Sequence, residues 1–182
     1  TDAERRADEF AGLYEVSMNI SGELDLRSIL TQIIDSISQI MHVPNAFIYL
    51  YNDKNDTLAL TVSKGMEALT GLVIKMGEGL AGRVAETRKP LLIVDYRNWN
   101  DVLNTQDGIS LSVVLGVPML FGGRLICVLG VAEIEVETRV FSEQEEQLLS
   151  LFAAQAASAV YNAQLFDSIQ RSNLELERLY RA

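Results

Sequence analysis

Residues 94–101, VDYRNWND, set two aromatic rings, Tyr96 and Trp99, among the polar groups of Asp95, Arg97, Asn98 and Asn100. A few polar anchors beside apolar walls is the mixture from which small-molecule binding sites are built. Trp99 also has a simpler reading, as a plug that holds its loop onto the body of the fold. Arg83, upstream, can face a ligand anion or serve as an ordinary solvent-facing helix charge. Nucleophilic chemistry is harder to assemble. The chain has one histidine, His42, and one cysteine, Cys127, so no Ser-His-Asp or Cys-His constellation, internal disulfide or His/Cys-rich zinc site can be composed. Glu133, Glu135 and Glu137 alternate and so share one face of a strand end. They are expected to be a solvated edge that discourages sheet aggregation rather than a metal site.

The stretch GEGLAGRVAETRKPLLIVDY, residues 77–96, carries Gly77, Gly79 and Gly82 ahead of a helix-like run. A phosphate cradle would need a following Lys-Ser or Lys-Thr pair and a different glycine spacing. The glycines are instead expected to turn the chain sharply and let a short helix lie close to a sheet, with Leu80 and Val84 inward.

The elements that must position these residues follow from pattern. The chain has 182 residues and is 48% hydrophobic, enough for one domain with helical extensions. Fifteen Lys and Arg against 25 Asp and Glu give a net charge of −10, which repels nucleic acid and anionic membrane surfaces. No apolar stretch approaches the roughly 18 residues of a membrane span, and the charged start is unlike a signal peptide. With one cysteine and no such signal, the expected location is the cytoplasm. The absence of an initiating Met fits a segment of a longer chain.

A thin apolar stripe over residues 3–20 predicts a helix. From Asp25 as N-cap, Leu26, Ile29, Leu30, Ile33, Ile34, Ile37, Ile40 and Met41 predict a second helix with a wide apolar face, stopped before Pro44. Residues 46–52 and 57–64 read as a hairpin across DKND, followed by a weak strand near 71–76 and another over 90–96. Residues 97–110 read as a polar loop or short helix. Strands over 111–120 and 124–134 are joined at Gly122-Gly123, where both positions tolerate positive φ. Ser142 and Glu145 form a capping box that opens a long helix, whose apolar face runs through Leu148, Leu151, Phe152, Ala156, Ala159, Val160 and Ala163. Beyond it, Leu165, Ile169, Ser172, Leu176 and Leu179 step by fours and threes, a coiled-coil-like seam. The set Phe166, Ile169, Asn173, Leu176 and Tyr180 fits nearly as well, so two registers stand open.

Three stretches taken in order, GEGLAGRVAETRKPLLIVDY, GVPMLFGGRLICVLGVAE and FSEQEEQLLSLFAAQAASAVYNAQLF, closely resemble the GAF domain family. The segment before them, LYEVSMNISGELDLRSILTQIIDSISQIM, is similar to helices that precede such domains in sensor kinases and related signalling proteins. The resemblance implies an α+β fold, a five- or six-stranded antiparallel sheet with terminal helices on one face and a ligand-pocket region on the other. It divides the chain into a linker helix (1–23), the GAF domain (24–168) and a signalling helix extension (169–182).

The resemblance also implies a non-enzymatic, small-molecule-sensing domain of a bacterial signalling protein, such as a histidine kinase or cyclic-dinucleotide enzyme. Its candidate ligand-binding residues are Phe47, Tyr49, Arg83, Asp95, Tyr96, Trp99, Asn100 and Val113. Its expected partners are an unidentified small molecule, an output domain in the same polypeptide and a second copy, joined through Leu165, Ile169, Leu176 and Leu179. The cofactor is open, although bilin and haem are disfavoured: Cys127 reads as a small buried strand residue and His42 as a helix-end cap. Asn52, Lys54 and Asp56 lack the order of the NKxnFx3DE motif of phosphodiesterase-type members. One cysteine cannot run the thiol cycle of sulfoxide reductases of this fold. The alternative is a ligandless dimerisation and spacer module, its cavity filled by Phe47 and Trp99.

Overall fold

A computed structural model describes residues 2–6, 25–100, 111–134 and 139–181. Helix α1 (Leu26–Met41) begins where the Asp25 carboxylate accepts the Arg27 N–H at 3.2 Å. Its buried Ile29, Leu30, Ile33, Ile34, Ile37 and Met41 recur at the spacing that puts them on one face. The helix closes at His42, whose left-handed φ of 53° lets its N–H reach the Ser38 carbonyl.

Two strands follow, β1 (Asn45–Asn52) and β2 (Thr57–Lys64), paired antiparallel with an irregularity between Ile48 and Tyr49. After a turn at Glu67–Leu69 come β3 (Val73–Lys75), helix α2 (Gly79–Thr87), β4 (Leu91–Ile93) and a second short turn at Tyr96–Asn98. Strands β5 (Val113–Phe121) and β6 (Arg124–Glu133) meet at Gly122 and Gly123, with φ of 57° and 78°, the positive values expected of a tight hairpin. Helix α3 (Glu143–Arg181) runs for 39 residues, roughly 58 Å at helical rise. The capping box forms as expected: Glu145 N–H donates to Ser142 Oγ at 3.2 Å, and Ser142 N–H to the Glu145 carboxylate at 3.1 Å.

The sheet has six strands in the order β3-β2-β1-β6-β5-β4, and every neighbouring pair is antiparallel. Alternation divides its side chains between two cores. On one face α1 and α3 cover Ala46, Ile48, Val62, Val113, Leu115, Val117, Cys127, Leu129 and Val131. On the other, α2 and the irregular segments cover Phe47, Tyr49, Leu58, Leu60, Val114, Val128 and Ala132. The fold is the α+β arrangement expected, an antiparallel sheet with its terminal helices α1 and α3 on one side.

Two details differ from expectation. The strand over 90–96 is only Leu91–Ile93, because beyond it Asn98 donates to Asp95 at 2.9 Å and Trp99 N–H to Tyr96 O at 3.2 Å, a local turn in place of a ladder. The face of α3 on the sheet runs through Leu149 and Ala153, with Leu148 and Leu151 only half-buried. Most of the helix expected over 3–20, and the loop 101–110, lie outside the described residues.

Candidate functional site

The glycine-rich turn sets the site's geometry. Gly77 and Gly79 have φ of 83° and 65°, values that side-chain-bearing residues rarely adopt, and Gly77 N–H donates to Gly82 O at 2.9 Å. A Cβ on Gly82 would stand 2.6 Å from the Lys75 carbonyl oxygen, so the turn folds back against the first turns of α2. The helix then lies directly on the sheet: a Cβ at Gly116 of β5 would be 2.6 Å from Leu80 Cδ2 and 3.3 Å from Val84 Cγ2. Leu80 and Val84 point inward, as expected.

With α2 so placed, Arg83 on its outer side carries its guanidinium carbon 5.4 Å from the centre of the Trp99 ring, within cation–π range. Trp99 in turn lies 5.8 Å from Tyr96, the rings tilted by 32°. The loop that holds both rings is tied to the end of β6. Tyr96 N–H donates to Ser112 O at 2.8 Å, Ser112 N–H and Oγ donate to Glu133 O at 2.8 and 3.1 Å, and Arg97 donates to Ile134 O at 3.0 Å. Beneath this group Phe47 and Tyr49 meet edge to face at 5.7 Å and 87°. Burial, and secondarily the negative charge that Tyr96 would carry, push the Tyr49 phenol well above its usual ionisation range. It therefore offers an O–H donor rather than a base.

Such a set, clustered aromatic rings with a guanidinium and a phenol, can hold a planar or anionic small molecule by ring contacts, charge and hydrogen bonding. No groups of three or more His, Cys, Asp and Glu stand close enough for a metal ion among the described residues. A separate groove of about 530 Å³ lies at the far end of the sheet, lined by Tyr51, Arg88, Arg124, Tyr161 and Gln164 among others. In that groove Arg88 donates to Gly123 O at 2.7 Å and Arg124 pairs with Asp53 at 3.5 Å.

The model of the family described as "GAF domain" matches residues 23–160. The chain belongs to the GAF domain family. Among its relatives, it is 24% identical to nitrogen fixation protein AnfA of Azotobacter vinelandii over 171 residues, 91% of this chain and 32% of that protein. It is 26% identical to a Nif-specific regulatory protein of Azospirillum brasilense over 136 residues, 71% of this chain and 22% of that protein. The chain thus spans a third or less of these relatives. The fold is also that of the GAF domain from a phosphoenolpyruvate-protein phosphotransferase of Coxiella burnetii, at 19% identity and a TM-score of 0.74, covering 91% of this chain and 98% of that one.

Within this GAF domain the expected site residues divide. Phe47, Tyr49, Tyr96 and Trp99 belong to one cluster on the sheet face away from α1 and α3, and Arg83 stands over its edge. Asp95 is exposed and engaged with Asn98, and Asn100 is exposed at the last described position before residue 111. Val113 is placed otherwise: it is buried among the helix-side residues, on the face opposite Tyr49, while its neighbour Val114 faces the site. A strand whose residues are nearly all apolar gives no alternation from which its parity can be read.

Pattern reading missed Ser112, which ties the loop to β6, and Ser63. The Ser63 hydroxyl is buried with no hydrogen-bond partner, and Ser63 pairs across β1–β2 with Phe47. The two thus share the site face. The alternation of β2 around Leu58, Leu60 and Val62 was the signal that could have located it, but for the irregularity opposite Ile48 and Tyr49.

Cys127 is fully buried on the helix side, its thiol pushed upward in pKa by burial, and His42 closes α1 at the far side from the aromatic cluster. Glu133, expected at a solvated edge, has a side chain only 12% exposed beside Arg139; Glu135 and Glu137 lie outside the described residues.

Proposed function

We propose that this GAF domain is a small-molecule-sensing regulatory module within a longer signalling protein, passing a ligand-dependent change through its terminal helices to an output domain. The observation that carries this reading is the Arg83–Trp99–Tyr96 group, set over the sheet face that the terminal helices leave to α2 and the loops. The relatives support the regulatory half. The chain spans a third or less of proteins named for nitrogen fixation and its regulation, so the output domain of this reading belongs to such a regulator rather than to a histidine kinase. The domain binds rather than transforms its ligand, and it works in the cytoplasm; no helix among the described residues is long and apolar enough to cross a membrane.

The proposal includes a homodimer through α3. Beyond residue 163 that helix has no buried residue, and Leu165, Ile169, Leu176 and Leu179 are 45%, 59%, 51% and 74% exposed. Such a stripe is expected to find a second copy. Replacing Leu176 and Leu179 by Asp should convert a dimer to a monomer in solution mass measurements without changing the fold; an unchanged dimer would remove the seam from the proposal.

A second reading, a ligandless dimerisation and spacer module, is favoured by one observation. Gly116 and Gly130 pair across β5–β6 on the site face, and each hollow is already filled: Phe47 Cζ lies 2.1 Å from where a Gly130 Cβ would stand, and Leu80 occupies the space over Gly116. The absorption spectrum of the purified chain, with its native and denaturing masses, separates the two. A mass surplus lost on denaturation is expected for the sensing module. Equal masses, with no ligand-induced rise in melting temperature across a metabolite panel, would leave the spacer, and visible colour would revive bilin or haem.

A further inference from the structure

The loop that carries Tyr96 and Trp99 and the inner ends of both terminal helices are joined to one place, the end of β6, and Arg139 makes the second of these joints. Its guanidinium donates to Met41 O at 2.9 Å and to His42 O at 3.1 Å, two carbonyls that the C-terminus of α1 leaves without helical partners. The same guanidinium pairs with Glu145, in the first turn of α3, and lies 4.0 Å from Glu133 at the end of β6. It sits over the ring of Phe141 at 5.1 Å. Glu145 is also the acid of the capping box, so one carboxylate both starts α3 and binds Arg139. Only arginine, with donors spread over a rigid plane, spans such a set at once. On the other side of the same strand end, the Glu133 carbonyl accepts from Ser112, whose own carbonyl holds Tyr96, and the Ile134 carbonyl accepts from Arg97.

We propose that Arg139 is a coupling residue of this GAF domain, the joint through which movements of the 94–100 loop reach α1 and α3. The inference rests on the reading of that loop as the ligand-facing element. A ligand that draws Tyr96 or Arg97 away from the end of β6 displaces Glu133 relative to Arg139. The guanidinium then transmits the displacement to the end of one helix and the start of the other. Arg139 has no direct contact with the aromatic cluster. It is a positioning residue, so its effect must be read at the loop rather than at its own position.

The test uses the 182-residue chain, whose one tryptophan, Trp99, reports on the loop alone. Coupling is reciprocal, so disturbing the joint must disturb the loop even without ligand. In Arg139→Gln, acrylamide quenching of Trp99 is expected to rise by at least about twofold, the lower range for coupling residues. Amide exchange near residues 40–45 and 142–146 should quicken in the same protein. Lys64→Gln, which breaks an exposed pair between β2 and Asp35 of α1, is the control and should change neither. Should Arg139→Gln fail to fold, Glu145→Gln removes one arm of the joint and keeps the carbonyl contacts. Faster exchange at the helix ends with unchanged Trp99 quenching in a folded variant would overturn the proposal, as would an equal quenching change in the control. Both readouts are taken without ligand. A chain that carries no ligand by native mass and gains no melting temperature from the metabolite panel, but shows the coupling, refutes the sensing role and leaves Arg139 standing, and the converse result does the opposite.

Discussion

On β1, Ala46 and Ile48 face α1 and α3, while Phe47 and Tyr49 face α2 and the 94–100 loop. The same backbone thus serves two cores of different make. The helix side is mainly Ile, Leu, Val and Ala, from two long helices interlocking over β1, β6 and β5 with the rings of Phe141 and Phe152 among them, and small residues of α3 let it lie close. The other side sets the rings of Phe47, Tyr49, Tyr96 and Trp99 among aliphatic residues and is covered by short pieces: nine residues of α2, three of β4 and a turn of three at Tyr96–Asn98. Its closest approaches depend on missing side chains, at Gly116 and Gly130, rather than on interdigitation. Short elements held by hydrogen bonds at their ends open at lower cost than long helices packed along their length. The stiffness of one face lets movement on the other be felt at the helix ends.

The largest effect that would test this contrast is on the stiff side. Leu149 is wholly buried between α3 and the sheet, and Leu149→Ala should destabilise the domain by about 2–5 kcal/mol in urea unfolding. A loss below about 1 kcal/mol would show that the helix side collapses around a cavity, contrary to the rigidity assigned to it. Next comes Gly130→Ala on the site face. Its Cβ would meet the Phe47 ring at 2.1 Å, and overpacking of this kind costs about 1–3 kcal/mol. Phe47→Leu in the same chain should recover part of that loss, a coupling that a double-mutant cycle measures. A neutral Gly130→Ala would mean that the ring leaves its hollow freely, and the hollow would then count as space for a ligand.

The two faces were also unequally legible in the amino-acid sequence. Spacing by threes and fours located α1 to its buried residues, and Asp25, Ser142 with Glu145, and Gly122-Gly123 marked ends and turns by chemistry that acts within a few residues. The glycines of residues 77–82 were correctly read as a turn that brings a helix close. What pattern could not supply was pairing between distant positions. The parity of β5 is hidden because the strand is apolar on both faces, and so Val113 was assigned to the wrong one. Glu133 looked like an edge charge because nothing local announces Arg139 as its neighbour. Phe47 over Gly130 is likewise a contact made only when β1 joins β6. The site is assembled from such contacts, so spacing alone shows its composition and not its arrangement.

The smallest expected effect concerns Tyr49 and is visible only in alkali. Burial, with the charge of Tyr96 second, raises its folded-state pKa above the ordinary value of 10.0. Between the unfolded and the folded pKa the native chain keeps a proton that the unfolded chain has lost. The unfolded state therefore binds fewer protons, and stability must fall as pH rises through that window. Below the unfolded pKa both states are protonated and the contribution is constant. Melting temperature should hold steady from neutrality to about pH 9.5 and then decline, and Tyr49→Phe should decline less over the same interval. Equal slopes for the two proteins would mean that the phenol meets water in the folded state. The site face would then be open down to the sheet, and the difference drawn between the two cores would shrink to one of composition.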